Sequence, residues 1–286
     1  MKIIKYFFQS LIIYFLFLIV KIIGLNISRY IFGKIFILFG PLFRSQTIIN
    51  NNLNKVNNFS LEDKKRISHK MWSNYAMTFV EYIYLHRFKK NNNHISVKGE
   101  DILNKIAASN KPVIFVSGHF ANFELMSMEL TKKKINFASI YRPLNNFFLN
   151  PFMEYLRRKY VCKNQIKKGI GGVKSSIQYL KNNFSIALMI DQRVSEGKLL
   201  PFFNENALTT TLPFQLAIKF QCEIVPIYIC RDEKKFTMEI LTPIKIVPSD
   251  NLDIDKKEIT LKLNKIIESM IVKDPSQWIL THNRWK

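Results

Sequence analysis

Within the run 112–130, His119 and Glu124 stand five residues apart in the string Gly118-His119-Phe120-Ala121-Asn122-Phe123-Glu124. A histidine beside a carboxylate can act as a base. The carboxylate fixes the tautomer through one ring nitrogen and stabilises the imidazolium, leaving the other nitrogen to take a proton from a hydroxyl. On one continuous helix, side chains five residues apart would diverge by about 140°, so this pair works only if a turn separates its members. No serine or cysteine stands where a nucleophile elbow would need one, so the attacking hydroxyl would belong to the substrate. By themselves the two residues equally fit a satisfied loop histidine and an acid favouring the positive end of a helix dipole.

The elements around the pair supply the turn. Val113, Ile114, Phe115 and Val116 form a short apolar run suited to a strand buried on both faces, which Gly118 lets the chain leave sharply. After Asn122, the apolar residues Phe123, Met126 and Leu130 recur at helical spacing, with Glu124 in the first turn. His119 therefore falls at the carboxyl end of a strand, the edge where open α/β sheets bind their ligands.

The same edge collects further candidates. A strand over 135–141 ends in Tyr-Arg142-Pro, and a helix after it carries Arg157 and Arg158, either of which could clamp a phosphate. Apolar residues 185–190 form another strand that ends at Asp191-Gln192-Arg193, and Asp191 could hold an arginine such as Arg157 or shape a headgroup pocket. The stretch Lys167-Lys-Gly-Ile-Gly-Gly-Val-Lys174-Ser-Ser is a broken phosphate loop, because Val173 stands where the glycine before the lysine should be. A helix start with lysines nearby can still attract a phosphate.

Along the rest of the chain, 44–85 is helical in character, with Ser60 as an N-cap and a stripe through Met71, Trp72, Tyr75, Phe79, Tyr82 and Ile83 that reads as core. Residues 201–212 read as a loop, 213–220 as a helix, 223–230 as a strand with an antiparallel partner over 236–241, and 259–272 as a closing helix. His69, His86 and His94 lack ligand spacing and read as surface residues; His282 reads as core or surface. Cys162, Cys222 and Cys230 read as free thiols of a reducing compartment, with neither disulfide framework nor metal site.

Lys and Arg number 43 against 21 Asp and Glu, and the resulting net charge of +22 calls for an anionic partner. The basic residues are dispersed and no nucleic-acid motif accompanies them, which favours an anionic membrane or an acidic protein over nucleic acid. Residues 6–20 are almost wholly apolar between lysines, yet span only about 22 Å, against the roughly 30 Å of a bilayer core. Extension to Leu25 with Lys21 snorkelling supplies the difference, so the segment is expected to be a membrane anchor, single-pass or monotopic. A second apolar patch at 30–43 is expected to lie in the interface. Counting Lys21, Arg29, Lys34 and Arg44 against Lys2 and Lys5 puts the remainder in the cytoplasm. The division expected is a 1–43 anchor and a 44–286 α/β domain.

The His119-x4-Glu124 spacing, Tyr141-Arg142-Pro143, Asp191-Gln192, Pro201-Phe202-Phe203 with Ala207 and Thr209, and the closing Gln277-Trp278 to His282-Asn283-Arg284-Trp285 together resemble the lauroyl/myristoyl (late) acyltransferases of lipid A biosynthesis. Leu212 departs from the resemblance, standing where a glycine is expected in many relatives. The resemblance implies an α/β fold with a single mixed sheet flanked by helices, similar to glycerol-3-phosphate acyltransferases, and an N-terminal membrane helix at the bacterial inner membrane. It implies acyl carrier protein as thioester donor, a phosphorylated glycolipid as acceptor, and no cofactor or metal. His119 would be the general base and Glu124 its orienting carboxylate, with Arg142, Arg157, Arg158 and Asp191 binding substrate. Acylation of a different lipid acceptor, and a non-catalytic role at the membrane surface, remain as alternatives.

Overall fold

The computed structural model describes residues 2–286. Its first part is helical: α1 (Lys2–Ile23) and α2 (Leu25–Phe43) are separated by Gly24 alone, and α3 (Gln46–Val56), α4 (Leu61–Glu81) and α5 (Leu85–Lys90) follow. Gly24 has φ of 86°, a conformation that costs glycine little and lets the chain turn between the two apolar helices. Helix α1 is long and apolar enough to cross a membrane. At the start of α4 the Asp63 N–H donates to Ser60 Oγ at 3.0 Å, the N-cap expected from sequence.

Strands then alternate with helices. They run β1 (Ile95–Lys98), α6 (Glu100–Ser109), β2 (Ile114–Ser117), α7 (Glu124–Lys132), β3 (Phe137–Tyr141), α8 (Asn150–Leu156), β4 (Gln165–Lys167), α9 (Ile170–Lys181) and β5 (Ser185–Met189). The hairpin β6 (Lys198–Phe202) and β7 (Glu205–Thr209), α10 (Leu212–Phe220), β8 (Ile224–Asp232), β9 (Lys235–Ile240) and α11 (Leu252–Lys273) complete the chain. Seven strands form one mixed sheet in the order β1-β9-β8-β2-β5-β3-β4. Its neighbours are parallel except β8 and β9, whose antiparallel pairing follows from the tight turn between them. The all-apolar runs of 114–116 and 186–188 are explained by position: β2 and β5 are central and covered on both faces.

The fold agrees with the sequence expectation in class and differs in places. Residues 201–212 are not a plain loop, because 198–209 form a hairpin whose turn places Phe203 and Asn204 at φ of 51° and 61°. A left-handed pair is the geometry that two-residue hairpin turns require, and phenylalanine gives little warning of it. Helix α11 begins at Leu252, seven residues before 259, where Asn251 Oδ1 accepts from the Asp253 and Ile254 N–H groups. His94 is not a surface residue. Its side chain is 10% exposed, between the Phe88 ring and Glu129, and burial, reinforced by the Lys132 charge, pushes its pKa down to about 4. Arg29, counted above as a flanking charge, is buried at 6% exposure in an ion pair with Glu81, which ties α2 to α4. In the α4 stripe Met71, Trp72 and Tyr82 are core, whereas Tyr75 is 43% exposed.

Candidate active site

Strands β2 and β5 are parallel neighbours with Ser117 registered against Met189. Two residues beyond each member of that pair stand His119 and Asp191, so adjacent strand ends deliver the two side chains to one point of the sheet's carboxyl edge. His119 Nδ1 meets Asp191 Oδ1 at 2.8 Å. A carboxylate only accepts, so Nδ1 carries a proton, and in the neutral imidazole Nε2 is the nitrogen left to accept one. His119 retains 22% exposure while Asp191 has 1%. Burial alone would raise the Asp191 pKa, but the His119 charge and hydrogen bond, with the Trp278 N–H, outweigh it and hold the carboxyl at about 2.

This pairing differs from the sequence reading, in which Glu124 orients His119 and Asp191 holds an arginine or shapes a headgroup pocket. The contacts are exchanged: Asp191 meets His119, and Glu124 meets the arginine. The turn between β2 and α7 bends back on itself, with Phe120 N–H donating to Gly118 O at 2.9 Å and Ala121 in the left-handed region at φ of 45°. Glu124, the first residue of α7, is thereby directed toward α4 and the turn after α8. Its Oε1 accepts from Arg157 Nε at 2.7 Å and from the Tyr82 hydroxyl, while Arg157 Nη2 donates to Tyr82 Oη at 2.9 Å. Burial works against the Arg157 charge, yet Glu124 and Tyr82 outweigh it and keep the guanidinium charged; burial, with Glu124, also keeps the Tyr82 phenol protonated. Arg157 Nη1 is buried and has no partner.

Of the two arginines left open by sequence, Arg157 meets Glu124 and Tyr82, while Arg158, its neighbour on the π-helical turn 157–161, is exposed. Arg142 is exposed just past β3. Lys168, in the glycine-containing stretch, is exposed; partial desolvation and then the Arg142 charge lower its pKa.

Gly118 is required by proximity. A Cβ there would lie 2.6 Å from the Phe120 ring and 3.2 Å from the Asp191 Cβ. The turn is then held from two sides. On one, Asn122 Nδ2 donates to Glu81 Oε2 at 2.8 Å, and the fully buried Glu81 also receives Arg29 Nε at 2.8 Å and Arg231 Nη2 at 3.0 Å. On the other, the C-terminal tail pairs with the turn: Ala121 N–H donates to Gln277 O at 2.8 Å and Ile279 N–H to His119 O at 3.2 Å. Between them, Trp278 Nε1 donates to Asp191 Oδ2 at 2.8 Å. The Phe120 and Ala121 amides are thus engaged and are not free to donate to an oxyanion.

Glu81, Arg231, Asn122 and Trp278 were missed as site residues. The signals in the sequence were the closeness of Asn122 to His119 and the place of Trp278 within the closing string. His282 also lies near the centre, with a buried unpartnered Nδ1 and a pKa lowered by burial against the pull of Asp191. Arg284 is fully buried, donating to Leu208 O and Thr209 Oγ1, both at 2.7 Å, so the tail docks on the hairpin.

A buried carboxylate and the partly exposed histidine that it orients can together deprotonate a hydroxyl. The chain matches the model of the bacterial lipid A biosynthesis acyltransferase family over residues 1–286. It is 26% identical to lipid A biosynthesis acyltransferase 2 of Shigella flexneri over 188 residues, 64% of this chain and 58% of that protein. Over 196 residues, 66% of this chain and 61% of the relative, it is 26% identical to the lipid A biosynthesis palmitoleoyltransferase of Escherichia coli K12. The aligned region thus spans about three fifths of the length of these curated relatives. By its fold, its strand-end histidine and this whole-length match, the chain belongs to the bacterial lipid A biosynthesis acyltransferase family.

Proposed function

We propose that this chain transfers a fatty acyl group from an acyl carrier protein thioester to a hydroxyl of a phosphorylated lipid A precursor, at the cytoplasmic face of the inner membrane. The observation that carries the reading is the His119–Asp191 pair, an oriented base at a strand end. His119 Nε2 takes the acceptor hydroxyl proton as that oxygen attacks the thioester carbonyl carbon. The tetrahedral intermediate collapses with cleavage of the C–S bond, and the imidazolium returns its proton to the departing sulfur, giving an ester and the carrier thiol. Asp191 holds the tautomer and stabilises the imidazolium. Arg157, braced by Glu124 and Tyr82, adds positive charge at the start of α7, five residues from His119. The net charge of +22 suits both an acidic carrier protein and a phosphorylated lipid in an anionic membrane.

The test is acyl transfer by membranes containing the protein, supplied with carrier thioesters and a tetra-acylated lipid A precursor. Wild type should transfer and His119→Ala should lose about 10² to 10⁴ in rate, the usual contribution of a general base. Equal transfer by both would refute the base, and transfer only to a glycerophospholipid acceptor would replace the proposed acceptor.

A further inference from the structure

Helix α1 has two distinct faces. Ile4, Phe8, Leu11, Phe15, Leu18 and Ile22 recur every three or four residues and are exposed, forming one apolar stripe. The opposite face carries Ser10, Phe17 and Val20, all buried against the protein. Contacts follow that face over most of the helix. Asn146 Nδ2 donates to Tyr6 O at 2.8 Å, Ser10 Oγ to Asn146 Oδ1 at 3.2 Å and the Tyr14 hydroxyl to Phe148 O at 2.9 Å. Farther along, Phe17 stacks on Phe79 at 4.8 Å and the Tyr84 hydroxyl donates to Val20 O at 2.8 Å.

The globular part therefore lies beside α1 rather than beyond its end. The contacts from Tyr6 to Val20 cover about 21 Å of a helix about 33 Å long. Were α1 to cross a bilayer, whose core is about 30 Å, this neighbouring protein would be submerged with it. The irregular backbone at 144–149 would enter hydrocarbon, where unpaired polar groups are not tolerated against lipid. Phe152 of α8 touches Tyr14 and Phe17 near the helix midpoint, so the exposed Arg158 and Lys159 just past α8 would follow to membrane depth.

We infer that α1 lies in the plane of one leaflet, with its exposed stripe in the lipid and both of its ends on the side of the globular part. Two neighbours of α1 also expose apolar side chains. Helix α2 exposes Tyr30, Leu38 and Leu42, and the loop against α1 exposes Phe147 at 51%. Exposed Lys5, Lys21 and Lys34 are positioned for anionic headgroups. The occupant is thus a phospholipid leaflet of net negative charge, and Phe147 is a second membrane contact beside the helix.

Single cysteines at Lys5, Lys21 and Lys262, the last an exposed position on α11, test this in the full chain with a membrane-impermeant maleimide. Labelling is compared in spheroplasts, in inverted vesicles and after detergent, with the unsubstituted protein as background. The expected result is that Lys5→Cys gives no labelling from the side opposite Lys262→Cys, as Lys21→Cys also does. Labelling of Lys5→Cys from that opposite side, at the level reached in detergent, would overturn the in-plane arrangement. A fluorophore on Phe147→Cys should be quenched by lipid-borne nitroxides about as strongly as one on Ile12→Cys. Failure of quenching at Phe147 alone would remove the loop from the contact. None of these readouts depends on acyl transfer, so they stand or fall separately from the proposed reaction.

Discussion

The carboxylate on His119 Nδ1 is that of Asp191, and in the proposed reaction it is the one that orients the base. Asp191→Asn should lower the rate by about 10² to 10⁴, as removal of an orienting acid in such pairs leaves the wrong tautomer and an unstabilised imidazolium. Trp278→Phe deletes the N–H to Asp191 Oδ2 along with part of the buried indole, so roughly 1 kcal/mol or several-fold in kcat is expected from the lost hydrogen bond, with KM little changed, beside a loss of stability from the smaller ring. Glu124→Gln acts through Arg157 instead, and steady-state kinetics should find its pH profile unshifted. A profile displaced by Glu124→Gln as far as by Asp191→Asn would contradict the exchange of roles. Asp191 also makes stability depend on pH. Its folded pKa, about 2, lies below the ordinary carboxylate value, so the stabilisation is present above about pH 4 and is lost as pH falls toward about 2. Thermal melts across that range should fall more steeply for wild type than for Asp191→Asn, and parallel curves would argue against the shift.

At the level of elements, the turn after β2 is clamped between α4 and the C-terminal tail. The α4 clamp is a buried cluster in which Glu81 receives Asn122, Arg29 and Arg231, while Arg231 Nε also donates to Asn74 Oδ1 at 2.7 Å. Breaking one partner of a buried ion pair strands the other charge and typically costs about 3–5 kcal/mol. Arg231→Met should therefore lower the denaturant midpoint by a matching amount, measured by equilibrium unfolding in detergent. Arg29 remains on Glu81 in that variant, which places the expectation at the lower end of the range. A change under about 1 kcal/mol would show the cluster to be dispensable, as exposed ion pairs generally are. The tail acts differently, through backbone pairing of 277–279 with 119–121 and the burial of Arg284 under the hairpin. Much of the polar anchoring of the site therefore comes from the two ends of the sequence, α2 and the tail.

For the whole molecule, charge and apolar surface act together at the membrane. Binding to anionic vesicles should weaken as salt rises from about 0.1 to 1 M, because the screening length falls from about 10 to 3 Å. A residual, salt-insensitive fraction should persist through the apolar stripe of α1 and the exposed residues of α2. Sedimentation with vesicles of each composition measures both parts, and full release by salt would contradict the apolar share. The fold itself was legible where periodicity is local. The apolar run 113–116 and the helical spacing after Asn122 specify strand, turn and helix without help, because burial on both faces or on one face leaves its period in the residues themselves. Composition likewise identified the apolar start of the chain. The sequence alone thus determined that His119 stands at a strand end and that an apolar helix begins the chain. Only the tertiary structure decided that Asp191, 72 residues away, is its partner, since that contact comes from the register of two parallel strands and leaves no local spacing. The hairpin at 198–209, the buried Arg29 and the tail strap were hidden for the same reason: each depends on which distant surfaces meet, a property of packing that periodicity along the chain does not record.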